Sequence, residues 1–184
     1  MHGECCSSSK SSSVFVGRQA PPFSVETIIG PEAEFKTASL NEYRGKWLVL
    51  FFYPLDFTFI CPTEITAFSK RYAEFEKLNA TVLGGSTDSV HAHKAWLKEL
   101  GALNFPLFSD STRSMSRDYG VLIEVQGIAL RGTFIIDPEG TLRYALYHDL
   151  GVGRSVSETL RVLEALQTGE RCPVDWKPGE TTLG

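Results

Sequence analysis

The apolar residues fall into runs whose spacing changes along the chain, and each change marks an element. Residues 46–53, KWLVLFFY, are almost unbroken in apolar character. A run this short predicts a strand buried on both faces, as in a parallel or mixed sheet, and Pro54 closes it. Over residues 61–78 the period lengthens. Ile65, Phe68, Tyr72, Phe75 and Leu78 recur every three or four positions, which predicts one stripe of a helix. Pro62 suits its first turn, where a missing N–H costs little. That start places Cys61 at a helix N-terminus.

Residues 80–85 predict a second buried strand, and residues 89–100 a helix with Gly101 near its end. Residues 105–108 are a short extended piece, and 111–119 a helix stopped by Gly120. Residues 128–136 and 141–147 are strand-like, and Asp137-Pro138-Glu139-Gly140 between them predicts an antiparallel hairpin. Residues 155–166 form the last helix, with Ser155 and Glu158 as a capping box and Leu160, Leu163 and Leu166 as its stripe. Upstream, Pro21-Pro22 and Ile29-Gly30-Pro31 are turn signals, and residues 39–45 a turn or single helical turn. Strands alternating with helices, closed by a hairpin and a helix, indicate an α/β or α+β fold with helices on both faces of a central sheet.

Composition narrows this picture. The 184 residues are 42% hydrophobic, enough for one domain with one sizeable core. The domain is expected over 14–168, between a Ser-rich flexible tail at 1–13 and a C-terminal tail at 169–184. Eighteen Lys and Arg against 22 Asp and Glu give a charge of -4, too mild and mixed for nucleic-acid binding. No apolar stretch is long enough to span a bilayer. The opening MHGECCSSSKSSS lacks the apolar core of a secretory signal, so a cytoplasmic or equivalent reducing compartment is expected. The cysteines, Cys5, Cys6, Cys61 and Cys172, are too few for a disulfide scaffold in a chain of this length.

Cys61 is the chemical candidate. The thiolate is the nucleophile, and a free cysteine is only about 3% thiolate at pH 7. A helix N-terminus points unpaired N–H groups at such an anion. Full ionisation raises the anion fraction roughly thirty-fold and weakens the nucleophile somewhat. An efficient enzyme therefore also needs donors aimed at the oxygen where charge develops, each worth about a hundred-fold. Thr58 can supply a hydroxyl, and Arg131 a charged fork if the sheet brings it near. Plainer readings stand beside these: a buried inert thiol, a turn threonine, a structural arginine, and a Glu64 favoured only by the helix dipole.

The segment Pro54 to Glu64, PLDFTFICPTE, resembles the peroxiredoxins, in particular their typical two-cysteine group. SDSTRSMSRDYGVL, RGTFIIDPEG, DLGVGRSVSETLR and CPVDWKPG extend the likeness over nearly all of 14–184. The resemblance implies a thioredoxin-like fold, a central mixed β-sheet flanked by helices, with an N-terminal extension and a C-terminal tail. It implies that Cys61 is the peroxidatic cysteine, that Thr58 bonds the peroxide, and that Pro54 shields the pocket from water. Arg131 matches the active-site arginine, Glu64 the acid orienting nearby arginines, and Cys172 the resolving cysteine, supplied by the partner subunit. The substrates implied are hydrogen peroxide and alkyl hydroperoxides, and the reductant is thioredoxin or a thioredoxin-like disulfide reductase. A homodimer, assembling into a decamer, is implied, with no cofactor, nucleic acid or membrane. Overoxidation-sensitive members carry a Gly-Gly-Leu-Gly element and a terminal Tyr-Phe helix. Residues 99–103 lack the first and the chain ends at Gly184, so a relatively robust enzyme is expected.

Other candidates are weaker. His91 and His93 lie two apart on a predicted helix and share no face. Cys5, Cys6 and His2 could bind metal or oxidise, but a polar tail is the plainer reading. Gly151-Val152-Gly153-Arg154 precedes a capped helix and could hold an anion, though it reads more simply as a turn. Trp176 is expected to pack Cys172 against the body. A general thiol–disulfide oxidoreductase would use the same cysteine but lacks a CxxC. A chaperone-like or peroxide-sensing ring is the non-enzyme alternative.

Overall fold

The computed structural model describes residues 14–30 and 34–184. The tail expected at 1–13, with His2, Cys5 and Cys6, lies outside the described residues. In chain order come β1 (Ser24–Ile29), β2 (Glu34–Ser39), a 3₁₀ turn (Leu40–Tyr43), β3 (Trp47–Phe52), α1 (Cys61–Lys70), α2 (Tyr72–Lys77) and β4 (Ala80–Ser86). Then follow α3 (Val90–Leu100), β5 (Leu107–Ser109), α4 (Ser114–Asp118), β6 (Leu122–Ile123), β7 (Ile128–Ala129), β8 (Arg131–Ile136), β9 (Leu142–His148) and α5 (Val156–Thr168). Seven strands form one mixed sheet in the order β2-β1-β5-β4-β3-β8-β9, and β6 and β7 form a separate ladder.

β3 lies at the interior of the sheet, parallel to β4 and antiparallel to β8. Both its faces are buried, as an apolar run requires. Val49, Phe51 and Tyr53 point into one core with Phe68, Phe75, Trp96 and Leu163, so α1, α2, α3 and α5 cover that face. Leu48, Leu50 and Phe52 point into the other, with Leu40, Met115 and Phe134, under the 3₁₀ turn and α4. Both faces are covered, but unequally. The central strands leave little room on β4: a Cβ on Gly85 would collide with the backbone carbonyl and ring of Phe108.

Several expectations are refined. β1 and β2 were not expected; β2 is an edge strand, exposed over most of its length, so it carries no apolar period. The 61–78 helix is interrupted at Arg71, whose guanidinium takes Glu74 at 2.7 Å and the Ser157 hydroxyl at 2.6 Å. The 128–136 run divides at Leu130, because β7 pairs with β6 and only β8 enters the main sheet. The hairpin at Asp137–Gly140 is present, with Asp137 Oδ1 accepting the Glu139 and Thr141 N–H groups. Ser155 caps α5 by accepting the Glu158 N–H at 3.1 Å, but the Glu158 carboxylate is taken by Arg161. No helix among the described residues is long and apolar enough to cross a membrane.

Replacing Gly85 by Ala should destabilise the fold by about 1–3 kcal/mol, because a backbone carbonyl cannot swing aside as a side chain can. Urea denaturation measures this, and an unchanged midpoint would contradict the packing described.

Candidate active site

The loop after β3 and the start of α1 are held at one end by a buried polar network. Asp56 accepts the Tyr53 hydroxyl at 2.8 Å and meets His93 Nδ1 at 2.7 Å, while His93 Nε2 donates to the Phe108 carbonyl at 2.9 Å. The Asp56 N–H donates to Asp88 at 2.9 Å. The next residue, Phe57, adopts a left-handed φ of 55°, uncommon for a bulky side chain, with its ring 5.8 Å from that of Trp96. Pro54 is buried, whereas Phe57 and Phe59 are exposed. Thr58 is only partly buried, and its hydroxyl donates to the Leu55 carbonyl at 3.0 Å. The donor expected from Thr58 is therefore engaged; its oxygen retains accepting capacity.

Cys61 is fully buried at the first position of α1, with Pro62 behind it. Pro62 has no N–H, and the Thr63 and Glu64 N–H groups both donate to the Ile60 carbonyl. The hydrogen bond to the Cys61 sulfur comes instead from a side chain: Arg131 Nη1 lies 3.3 Å from Sγ. The sheet makes this contact. β8 runs antiparallel to β3 with Thr133 opposite Phe51, which carries Arg131 to the edge where the chain leaves β3 for α1. Odd-numbered residues of β8 face the α1 side, so Arg131 points at the cysteine.

Glu64, one turn into α1, ties the arginines together. Its Oε2 accepts Arg131 Nη1 at 2.7 Å and Arg154 Nη2 at 2.8 Å. Its Oε1 accepts the Arg154 backbone N–H at 2.8 Å and Nε at 2.9 Å. Arg154 Nη1 donates to the carbonyls of Phe52 and Gly132, and its guanidinium lies 4.8 Å from the Phe51 ring centroid. Arg131 Nε donates to the Leu150 carbonyl at 2.9 Å. All three charged side chains are almost completely buried. Burial alone would raise the Glu64 carboxyl, but hydrogen bonds and charge from Arg154, with Arg131 beyond, reverse this and hold it below its ordinary value. Burial lowers Arg154 against the opposing pull of Glu64, and a guanidinium starts so high that it stays charged. Two cations therefore face one carboxylate, leaving one positive charge beside the sulfur.

The sequence-derived residues Cys61, Glu64 and Arg131 meet directly, Pro54 and Thr58 lie in the loop leading to them, and Cys172 does not join them. Both Cys61 and Cys172 are free thiols. Cys172 is half-buried beyond α5, with Sγ 3.6 Å from the Thr168 hydroxyl and 3.8 Å from the Ala165 carbonyl. Arg154 was not among the expected site residues. The Gly-Val-Gly-Arg segment does hold an anion, but that anion is the Glu64 carboxylate. A Cβ on Gly153 would lie 3.4 Å from Ile60, which places this loop over the start of α1.

Glu64→Gln should cost about 3–5 kcal/mol near neutral pH, since it strands two buried guanidiniums. A depressed carboxyl contributes stability that is complete above the ordinary glutamate value, about 4.3, and is lost as pH falls through the depressed folded value. The gap between wild type and variant should therefore be full above about pH 5 and close at lower pH. Urea titrations across pH check this, and a gap independent of pH would refute it.

A family model described as "AhpC/TSA family" matches residues 16–145. The chloroplastic 2-Cys peroxiredoxin BAS1 of Spinacia oleracea is 55% identical over 179 residues, covering 91% of this chain and 67% of that protein. Peroxiredoxin prdx-2 of Caenorhabditis elegans is 50% identical over 184 residues, covering 95% and 90%. Among solved structures, the reduced 2-Cys peroxiredoxin of Plasmodium vivax superposes with a TM-score of 0.89 at 37% identity, covering 92% of this chain and 93% of that one. Matched in sequence and in backbone along nearly its whole length, the chain belongs to the AhpC/TSA family and is a peroxiredoxin, a thiol peroxidase with a thioredoxin-like fold.

Proposed function

We propose that Cys61 is the peroxidatic nucleophile and that the protein reduces hydrogen peroxide and alkyl hydroperoxides. The observation that carries this reading is the 3.3 Å contact between Arg131 Nη1 and Cys61 Sγ, within a buried cluster that has one positive charge to spare. The Cys61 thiolate attacks the terminal peroxide oxygen and the O–O bond breaks. Water or an alcohol leaves with a proton, and Cys61 becomes a sulfenic acid. Arg131 faces the oxygen on which charge builds, and among the described residues its Nη2 makes no hydrogen bond, so it has donors left for the substrate. Thr58, already donating to Leu55, serves as acceptor for a peroxide proton. Pro54 keeps water from the pocket, and Glu64 acts through the arginines it orients.

Cys172 of a partner subunit then displaces water from the sulfenic acid, forming an intersubunit disulfide. Thioredoxin or a similar dithiol reductant regenerates both thiols. In support, the two cysteines occupy different surroundings within one subunit, and β9 is the last strand of the sheet, its outer side bonded to Gly17 and Arg18 at Leu142 and paired with no strand beyond it among the described residues. Pairing of β9 with its copy gives an antiparallel homodimer. The exposed Leu55, Phe57 and Phe59 supply an apolar surface for assembly into a decamer. Localisation in the cytoplasm agrees with free thiols as the working form.

In stopped-flow assays Cys61→Ser should lose peroxide consumption by several orders of magnitude. Cys172→Ser should keep the first oxidation but stall without thioredoxin-dependent turnover. Rapid peroxide consumption that persists in Cys61→Ser would end the assignment.

A further inference from the structure

The segment bearing Cys172 is built as an arm with two fixed ends. α5 finishes at Thr168, and Gly169, at a left-handed φ of 68°, turns the chain back. Six residues later Asp175 takes a second left-handed φ of 55°. The chain then drops into the body at Trp176, which is 4% exposed and whose indole N–H donates to the Glu180 carbonyl at 3.0 Å. The Trp176 carbonyl accepts Arg161 Nη1 at 3.1 Å. The guanidinium of Arg161 is itself fixed, because Nε and Nη2 grip the two Glu158 oxygens at 2.7 Å each.

Between these ends the arm is lightly held. Val174 is 90% exposed, and a cleft of about 470 Å³ separates the arm from α5 between Arg161 and Leu166. The Cys172 sulfur rests on long contacts to Thr168 and Ala165. At the near end the Glu170 N–H donates to the Thr168 hydroxyl at 3.1 Å, at the far end the Trp176 N–H donates to the Pro173 carbonyl, and the other bonds run to residues 182 and 183, Leu183 N–H to the Arg171 carbonyl and Thr182 to Glu170.

We propose that Arg161 is a positioning residue for resolution: it pins Trp176 to α5, so that Cys172 travels on a short arm closed at both ends. The inference rests on Cys172 being the resolving cysteine. In that step the Cys172 sulfur attacks the Cys61 sulfenic sulfur. The S–S bond forms and the S–O bond breaks, and hydroxide leaves with the Cys172 proton as water. Both sulfurs reach the disulfide level without any outside oxidant or reductant. The rate depends on the effective concentration of Cys172 at its target. Freeing the far end turns a closed arm into a loose tail that searches a larger volume, which lowers that concentration. Arg161 does not touch peroxide or Cys61, so the peroxide step is unaffected.

The test uses the full-length reduced protein and hydrogen peroxide, with rapid chemical quench and mass spectrometry of Cys61. The variants are Arg161→Met, Arg161→Lys, Glu158→Gln and Cys172→Ser. For Arg161→Met the second-order formation of sulfenic acid should match wild type. Its first-order conversion to disulfide should fall about five-fold, with a matching rise in sulfinic acid at high peroxide. Arg161→Lys, which can still donate to the Trp176 carbonyl, should recover most of the rate. Glu158→Gln, which leaves every buried group in place, should slow resolution partially and serves if Arg161→Met folds poorly. Wild-type resolution in both Arg161→Met and Glu158→Gln overturns the inference, and so does an equal slowing of both chemical steps. Wild-type disulfide formation in Cys172→Ser would overturn instead the reading on which it rests. Loss of disulfide in Cys172→Ser beside unchanged resolution in Arg161→Met would sink the clamp alone.

Discussion

The buried Glu64 carboxylate is the constraint around which this site is arranged. It accepts from both Arg131 and Arg154, and the same Arg131 nitrogen reaches the Cys61 sulfur. Without the carboxylate, two guanidiniums would lie buried side by side and repel. With it, they are held in place and the cluster keeps a surplus of one positive charge. A neutral thiol leaves that surplus unmatched; a thiolate cancels it. That charge count supports the proposed nucleophile and does not depend on the helix dipole.

That cluster can exist only because three parts of the fold converge. The antiparallel register of β3 and β8 brings Arg131 to the end of β3, where the chain turns toward α1. The crossover from β3 to the parallel β4 lays α1 on the same face, so Glu64 looks at Arg131. The loop after β9 delivers Leu150 and Arg154, the first as a carbonyl that fixes Arg131 Nε and the second as charge and backbone N–H. Arg154 also ties that loop to Phe52 and Gly132, carbonyls on the two strands beneath it. The site is therefore braced by sheet backbone and not by loop contacts alone, as a precise donor geometry requires.

What the sequence disclosed follows from the same physics. β3 was legible because burial on both faces demands an unbroken apolar run, and the start of α1 because proline tolerates the first helical turn. β2 was not legible, since an edge strand that is mostly exposed needs no apolar period. Cys61 could be singled out from its position, but Arg131 could not. It could be named as a charged fork, but its partner across the sheet is decided by strand register, which a single sequence does not encode locally, and only the family likeness gave it a place at the cysteine. Arg154 carried one usable signal, a basic residue just before a capped helix after two glycines. The missing information was that the anion it binds belongs to the protein. Thr58 was read as a donor because a hydroxyl can be one, but a short turn gives its proton to Leu55.

The geometry that favours attack also opposes resolution, and the way the fold limits that conflict can be argued from its contacts. On the proposed chemistry the Cys61 sulfur must come within about 2.05 Å of another sulfur, yet it is fully buried. Something must open. Toward the N-terminal side Asp56 is fixed by Tyr53, His93 and Asp88, so opening cannot easily spread into β3. Toward the C-terminal side Glu64 is fixed by two arginines, and unwinding past it would strand all three charges. Between these anchors lie Phe57, already at an unfavourable φ, an exposed Phe59, and a first helical turn whose Thr63 and Glu64 N–H groups share the single Ile60 carbonyl. The unit that opens is therefore bounded to residues 57–63. Arg131 must release the sulfur, but its bonds to Glu64 and Leu150 can remain intact throughout. The pocket can then re-form around an unchanged pair of arginines once the thiols are restored.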